Sequence, residues 1–398
     1  MTKKGDRAWW LWPIVPIYPY GHRRTLRREI IPGKVWLFEQ VQGIFYVVVP
    51  IRMTVIKMAQ GGLMAFSAVA PTRECVRLLR ELEAEHGPVR YIIMPTVTGV
   101  EHKYFTGPFA RKFKQADVYA APNQWSFPLD LPLSWLGFPP KRTHILPYDA
   151  SQTPFYDEFD YQIVGPIELN LKPYTEVAVF HRETRSLLTI DAVLSIPNTP
   201  PPVVEQNPHP LLFHARDSAT EPIQDTPENR LKGWRRIALF TFYFQPSTLD
   251  VPKLGRAIKE ASKSPNKSKK NYFGLYPFDW EKDWPKSFET LRKDGRLIVA
   301  PILQTLIFNR GSEQVLEWVE KVAQWNFEQV FPCHFTAPVA AGPEEFSQAF
   351  EFLRQPNPRS WSGFDHEVPM SDLETLGQIE RTLNGSFLAD PEIPTKTQ

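Results

Sequence analysis

Cysteine is nearly absent from this chain: Cys75 and Cys333 are the only two among 398 residues. Two thiols far apart in sequence build neither a disulfide framework nor a thiolate zinc cluster. A reducing compartment fits, with a single bridge left open. An excess of charge of either sign is also lacking. The formal net charge is +2, so no global field calls for nucleic acid as a partner. No apolar run reaches the ~20 residues that a membrane helix needs. The nearest, Trp9 to Tyr20, is interrupted by Pro13, Pro16 and Pro19, which lack the amide proton a spanning helix requires. Gly21-His22-Arg23-Arg24 follows it instead of a small-residue cleavage site, which argues against a signal peptide. A cytoplasmic location is expected. The chain has no GxSxG elbow, no P-loop, no dinucleotide fingerprint and no repeat of fixed period.

Glycine is scarce beside proline, 20 residues against 40, which favours stiffened loops over long helices. With 42% hydrophobic and 23% charged residues, the chain has the balance of a folded protein with a sizeable core. It divides into a basic, aromatic arm over residues 1–30, a main domain over 31–360 with an insertion at about 194–300, and a tail over 361–398. In the arm, Trp9, Trp10, Trp12, Tyr18 and Tyr20 precede Arg23, Arg24, Arg27 and Arg28. Such rings and guanidinium groups suit an anionic lipid surface, so peripheral membrane contact is one reading. Packing across a sheet edge is preferred, because the prolines spoil an amphipathic helix.

The domain opens as a strand meander: Val35 to Phe38, Ile44 to Val49, Met53 to Met58, then a Gly61-Gly62 turn and Leu63 to Val69. A helix capped by Thr72 carries Cys75, Val76, Leu79 and Leu82 on one face and ends at Gly87-Pro88. Strands follow at Val89–Met94 and Val118–Ala121, with a helix near Lys103–Lys114 between them. Residues 122–150 read as irregular. Further strands are expected over Phe159–Leu171, Glu176–Phe180 and Leu187–Ile190. His181 falls in the hairpin after Phe180 and is expected to be exposed. Residues 194–230 hold six prolines among their first seventeen positions, which predicts an irregular lid near the 96–102 loop. A helix begins at Ser312, a last strand ends at Phe331, and the tail beyond Trp361 reads as loosely structured.

Polar residues that follow apolar strands are candidates for chemistry. Glu101 and His102 follow Val89–Met94, Asp191 ends Leu187–Ile190, and His334 follows Phe331. Two imidazoles and two carboxylates make a reasonable shell for zinc, iron or manganese, although a lone His or Asp at a strand end is commonly a loop hydrogen-bonder. His209 and His214 lie in the insertion, where solvated loop positions are the commoner reading.

This order of elements resembles the metallo-β-lactamase superfamily, an α/β fold built as an αββα sandwich. More narrowly, Pro50–Val55, Gly107–Phe113, Tyr119–Pro122 and Glu176–His181 resemble a DUF4336-like family of bacteria and photosynthetic organisms. The superfamily signature H-x-H-x-D-H is matched by Thr98-Gly99-Val100-Glu101-His102, with Glu101 at the Asp position and His102 at the last His. The first two histidines are missing, and the middle His has no match near Lys172-Pro173-Tyr174. Asp191 matches the bridging Asp and His334 the closing His. The resemblance therefore implies a reduced site of Glu101, His102, Asp191 and His334, with Asp191 as the catalytic candidate. Two outcomes stay open. One is a hydrolase with a single divalent metal; the other is a metal-free, non-catalytic scaffold for a small molecule or protein.

Overall fold

The computed structural model describes residues 4–97, 100–126, 129–170, 172–354 and 370–384. Seven strands form the first sheet, in sequence order: β1 (Leu26–Ile31), β2 (Val35–Ile44), β3 (Val47–Lys57), β4 (Leu63–Phe66), β5 (Val89–Met94), β6 (Asp117–Ala120) and β7 (Thr143–Ile145). β1 to β4 are antiparallel, whereas β4 to β7 are parallel. The second sheet contains β8 (Phe159–Ile167), β9 (Tyr174–His181) and β10 (Ser186–Thr189). A two-stranded ribbon, β11 (Leu249–Asp250) and β12 (Asp279–Trp280), stands apart. β13 (Gln329–Pro332) and β14 (Val339–Ala340) complete the second sheet in the order β14-β13-β10-β9-β8.

The sheets face each other across a core that takes Leu37, Phe66 and Ile93 from one side and Val177, Leu188 and Phe331 from the other. α1 (Arg73–His86) and α2 (Val100–Ala110) cover the outer face of the first sheet through Leu79, Phe105 and Phe109. The Thr72 hydroxyl accepts from the Cys75 N–H at 3.2 Å, and Gly87 closes α1 with φ 93°. Apolar periodicity and both caps thus agree on this helix. The outer face of the second sheet is covered chiefly by α9 (Ser312–Val322) and α10 (Pro343–Gln348), with Val315, Val319 and Phe346 buried. This is the expected αββα sandwich.

Several expectations are corrected. Val47–Val49 and Met53–Lys57, read as parts of two strands, belong to one, β3, while Ile44 ends β2 and the turn between is Phe45-Tyr46, both left-handed at φ 51° and 63°. Bulky residues rarely adopt that conformation, so this turn carries no sequence signal. The end of the arm is β1, and Trp9 is buried edge-on against Tyr104 and Phe105. Trp10 is exposed, so the three indoles do not form one exposed group. His181 is buried because β9 runs one residue further than expected, and it pairs with both Phe159 and Ser186. Residues 122–150 contain β7. Within the tail, α11 (Met370–Asn384) buries Leu373 and Leu376, and Glu380 pairs with Arg310 at 2.6 Å.

Residues 194–230, expected to be irregular, hold two short helices and the start of a third, with irregular chain between them. Leu194 and Ile298 pair with each other at the base of the insertion. Between them lie α3 (Pro202–Glu205), α4 (His209–Ala215), α5 (Pro227–Tyr243), α6 (Leu254–Ala261) and α7 (Trp284–Arg292), with α8 (Pro301–Leu306) just after. Of its prolines, Pro202, Pro210 and Pro227 sit in first helical turns, where a missing N–H costs nothing. The insertion is anchored on β2 and β3 and around Phe335, flanked by Trp234 and Phe242 at 5.6 and 4.9 Å. Thr98 and Gly99 of the 96–102 loop, where a lid was expected, lie outside the described residues. His209 bonds the Lys270 carbonyl and the buried His214 bonds that of Phe45, so neither joins the candidate site.

Candidate functional site

The parallel pairing of β10 with β13 places Thr189 beside Pro332. Two residues further along each strand stand Asp191 and His334, which therefore emerge at the same sheet end. The His334 Nε2 lies 3.2 Å from the Asp191 Oδ1, and its Nδ1 lies 2.9 Å from the Pro50 carbonyl of β3. A carbonyl can only accept, so Nδ1 carries a proton. His102 enters from α2, with ring centroids 5.9 Å from His334. Its Nδ1 lies 2.7 Å from the Ser67 Oγ and 3.3 Å from the Ala68 carbonyl. Ser67 follows β4 in the left-handed region at φ 63°, a conformation that costs a non-glycine residue on the order of 1–3 kcal/mol. Three sequence candidates thus meet at one mouth. Glu101 lies in the first turn of α2, and its side chain lies outside the described residues.

Electrostatics separate the members. Burial opposes ionisation of Asp191, but the hydrogen bond from His334 and the charges of His334 and His102 outweigh it and hold the carboxyl below its ordinary value. The Asp191 side chain is 27% exposed and that of His334 9%, while His102 is fully buried. Asp191 is accordingly the member of the trio that meets solvent.

A second carboxylate, Glu176 of β9, was not singled out from the sequence. It accepts from the backbone N–H groups of Ile190, Asp191 and Ala192 at 2.9–3.2 Å, and the Tyr174 hydroxyl donates to it. Successive N–H groups turned to one anion form a cradle, so Glu176 fixes the loop that carries Asp191. Burial and the Asp191 charge push its carboxyl up to about 7, against those donors. The available signal was a carboxylate within an otherwise apolar strand, since a buried charge needs partners. The same signal marks Glu39 and Arg52, a fully buried pair at 2.7 Å. Arg52 also donates to the Pro332 and Phe335 carbonyls, which bracket His334. Lys103, beside His102, donates to the Val97 and Trp125 carbonyls, and burial lowers its ammonium to about 8. Cys75 and Cys333 are free and buried.

A metal is what the family resemblance implies here. Among the described residues, no group of three or more His, Cys, Asp or Glu side chains is arranged to hold one. The two donors closest together, on Asp191 and His334, are bonded to each other. The described residues therefore do not fit a metal shell.

Two facing sheets with helices on their outer sides define the class: an αββα sandwich, a metallo-β-lactamase-type fold. The chain belongs to the family of the domain of unknown function DUF4336, whose model matches residues 32–352. Among curated proteins none matches. Similar solved structures include the metal-soaked Flv1 flavodiiron core from Synechocystis sp. PCC6803, at 11% identity and TM-score 0.40 over 83% of this chain and 61% of that one. Others are a metallo-β-lactamase from Pontibacter korlensis, at 11% and 0.33 over 44% and 76%, and the DIM-1 metallo-β-lactamase, at 10% and 0.40 over 83% and 97%. The chain spans less than two thirds of the length of the flavodiiron core. No described helix is long and apolar enough to cross a membrane.

Proposed function

We propose that this chain is a non-catalytic ligand-binding member of its fold, using the mouth around Asp191 to hold a small polar molecule. The observation that carries this reading is the direct Asp191–His334 hydrogen bond. His334 is held between a carbonyl and a carboxylate, and both acceptors are served only when both ring nitrogens carry protons. In that state the ring is a fixed donor that orients Asp191. The partly exposed, ionised carboxylate then suits a ligand bringing an ammonium, an amidinium or hydroxyl donors.

Elemental analysis of the purified full chain tests the reading, with His102→Ala as control. We expect well under one zinc, iron or manganese per chain, unchanged by the substitution. A thermal-shift screen of amines and polyols should then give ligands that stabilise the protein by about 2.7 kcal/mol at a hundred times Kd. Asp191→Asn should remove that stabilisation. One observation favours a second reading, a single-metal hydrolase: each ring has its Nδ1 held by oxygen, as the outer nitrogen of a ligating histidine usually is. One metal per chain, lost in His102→Ala, would establish that reading and remove the first.

A further inference from the structure

Away from the mouth, the surface around residues 251–278 combines two features that rarely coincide. Leu254 and Ile258, one turn apart on α6, are 71% and 57% exposed, while Ala257 between them is buried. Phe273 is 68% exposed and held in the left-handed region at φ 56°. The two segments touch, since a Cβ on Gly274 would fall 2.8 Å from the Ala261 carbonyl. The β2–β3 turn adjoins them. Phe45 stacks on Tyr272 at 4.1 Å, the Tyr46 hydroxyl donates to the Lys270 carbonyl, and Ile44 beside them is 72% exposed. A groove of about 520 Å³, lined by Ile44, Phe45, Phe244, Val251 and Phe278, runs alongside.

The same stretch of chain carries cations. Between Lys253 and Lys270 the chain carries seven basic residues and one acidic, Glu260, and all seven basic residues are exposed. Among the described residues only Arg256 of the seven has acidic partners, Glu260 and Asp279. Exposed apolar side chains grouped on adjoining segments mark an interaction site, and unpaired lysines set the sign of its partner.

We propose that this face docks on an anionic lipid bilayer. Leu254, Ile258, Phe273 and Ile44 enter the headgroup–acyl boundary, and the lysines meet the lipid phosphates. Their alkyl stems lie along the apolar surface with the ammonium groups in the headgroups. Single-stranded nucleic acid is the competing polyanion. It binds by stacking bases on aromatic rings between cations, whereas the most exposed anchors here are largely aliphatic. The face shares no residue with the mouth, so the two readings stand or fall separately.

Co-sedimentation of the full chain with vesicles tests this, using phosphatidylcholine alone and phosphatidylcholine mixed with phosphatidylglycerol. Binding is expected only to the mixed vesicles. Substituting Lys263→Gln, Lys267→Gln and Lys270→Gln together should weaken partitioning roughly 100-fold. Leu254→Ser, Ile258→Ser and Phe273→Ser together should abolish the binding that persists at high salt. All six positions are exposed, and an unchanged melting temperature would show that the variants fold. The proposal is overturned if the folded wild type shows no preference for mixed vesicles, or if both variants bind as it does. Lysine-dependent binding of single-stranded RNA without vesicle binding would also overturn it.

Discussion

Glu176 lies in a strand whose eight residues are all buried, and such a place is costly for a carboxylate unless donors surround it. Here three consecutive backbone N–H groups and the Tyr174 hydroxyl do so. Glutamine has the same shape but turns one acceptor into an NH2 group, which leaves backbone donors without an acceptor. Glu176→Gln should therefore cost about 2 kcal/mol, the scale of an unsatisfied buried polar group, read as a lower urea midpoint at unchanged slope. Because the released loop carries Asp191, the histidine side-chain resonance of His334 should shift as well. Equal stability together with an unmoved His334 would show that the carboxylate does not anchor the loop. The sequence signals only that a carboxylate in an apolar strand needs partners, and it does not say which. His102, Asp191 and His334 stand out because each follows an apolar run, a local feature. The role of Glu176 arises only when β9 and β10 lie side by side, and a glutamate amid Thr175 and Val177 does not reveal its neighbours across the hairpin.

Elements whose ends carry their own chemistry were the readable ones. α1 has a threonine cap, an apolar stripe and a closing glycine within one short stretch, so the reading and the structure agree. The insertion shows the reverse. Its prolines suggested loop, yet Pro202, Pro210 and Pro227 start helices, and a proline is equally at home in either role. Tertiary packing decides, and Gly233 shows how. A Cβ there would lie 1.8 Å from the Leu211 carbonyl, so α5 rests directly on the backbone of α4. In an exposed helix Gly→Ala would be stabilising by up to about 1 kcal/mol. Here Gly233→Ala should destabilise by about 1–3 kcal/mol, the cost of overpacking, with a fall in melting temperature and faster proteolysis between Leu211 and Gly233. A melting temperature raised by this substitution would show that the two helices can separate without cost. The tail helix α11 shows that a local signal can be passed over: Leu373, Leu376, Ile379 and Leu383 recur at helical spacing within a polar tail, and the burial of Leu373 and Leu376 comes from distant parts of the chain.

Over the whole molecule, buried titrating groups set the response to acid. Burial lowers His181 from 6.5 to about 4 and His214 from 6.5 to about 3, so the folded state holds both rings neutral where the unfolded chain would protonate them. A group of this kind contributes stability that is complete above pH 6.5 and is lost as pH falls toward its folded value. Asp191 and Glu39, both held below their ordinary values, lose their contributions in the same direction at lower pH. Glu176 acts oppositely. Raised from 4.5 to about 7, it keeps its proton in the fold and contributes stability at low pH that is lost as pH rises through that window. Two histidines therefore oppose one carboxyl between pH 4.5 and 6.5, and the net expectation is a stability that falls on acidification. His181 alone carries a shift worth up to about 3 kcal/mol. His181→Gln loses the stacking on Phe159 and should be less stable at neutral pH, but its urea midpoint should vary less between pH 6.5 and 4.5 than that of the wild type. The slope is the readout, because a purely structural role for the ring would lower the whole curve without flattening it. A variant curve parallel to the wild type would show that His181 takes no part in the acid response.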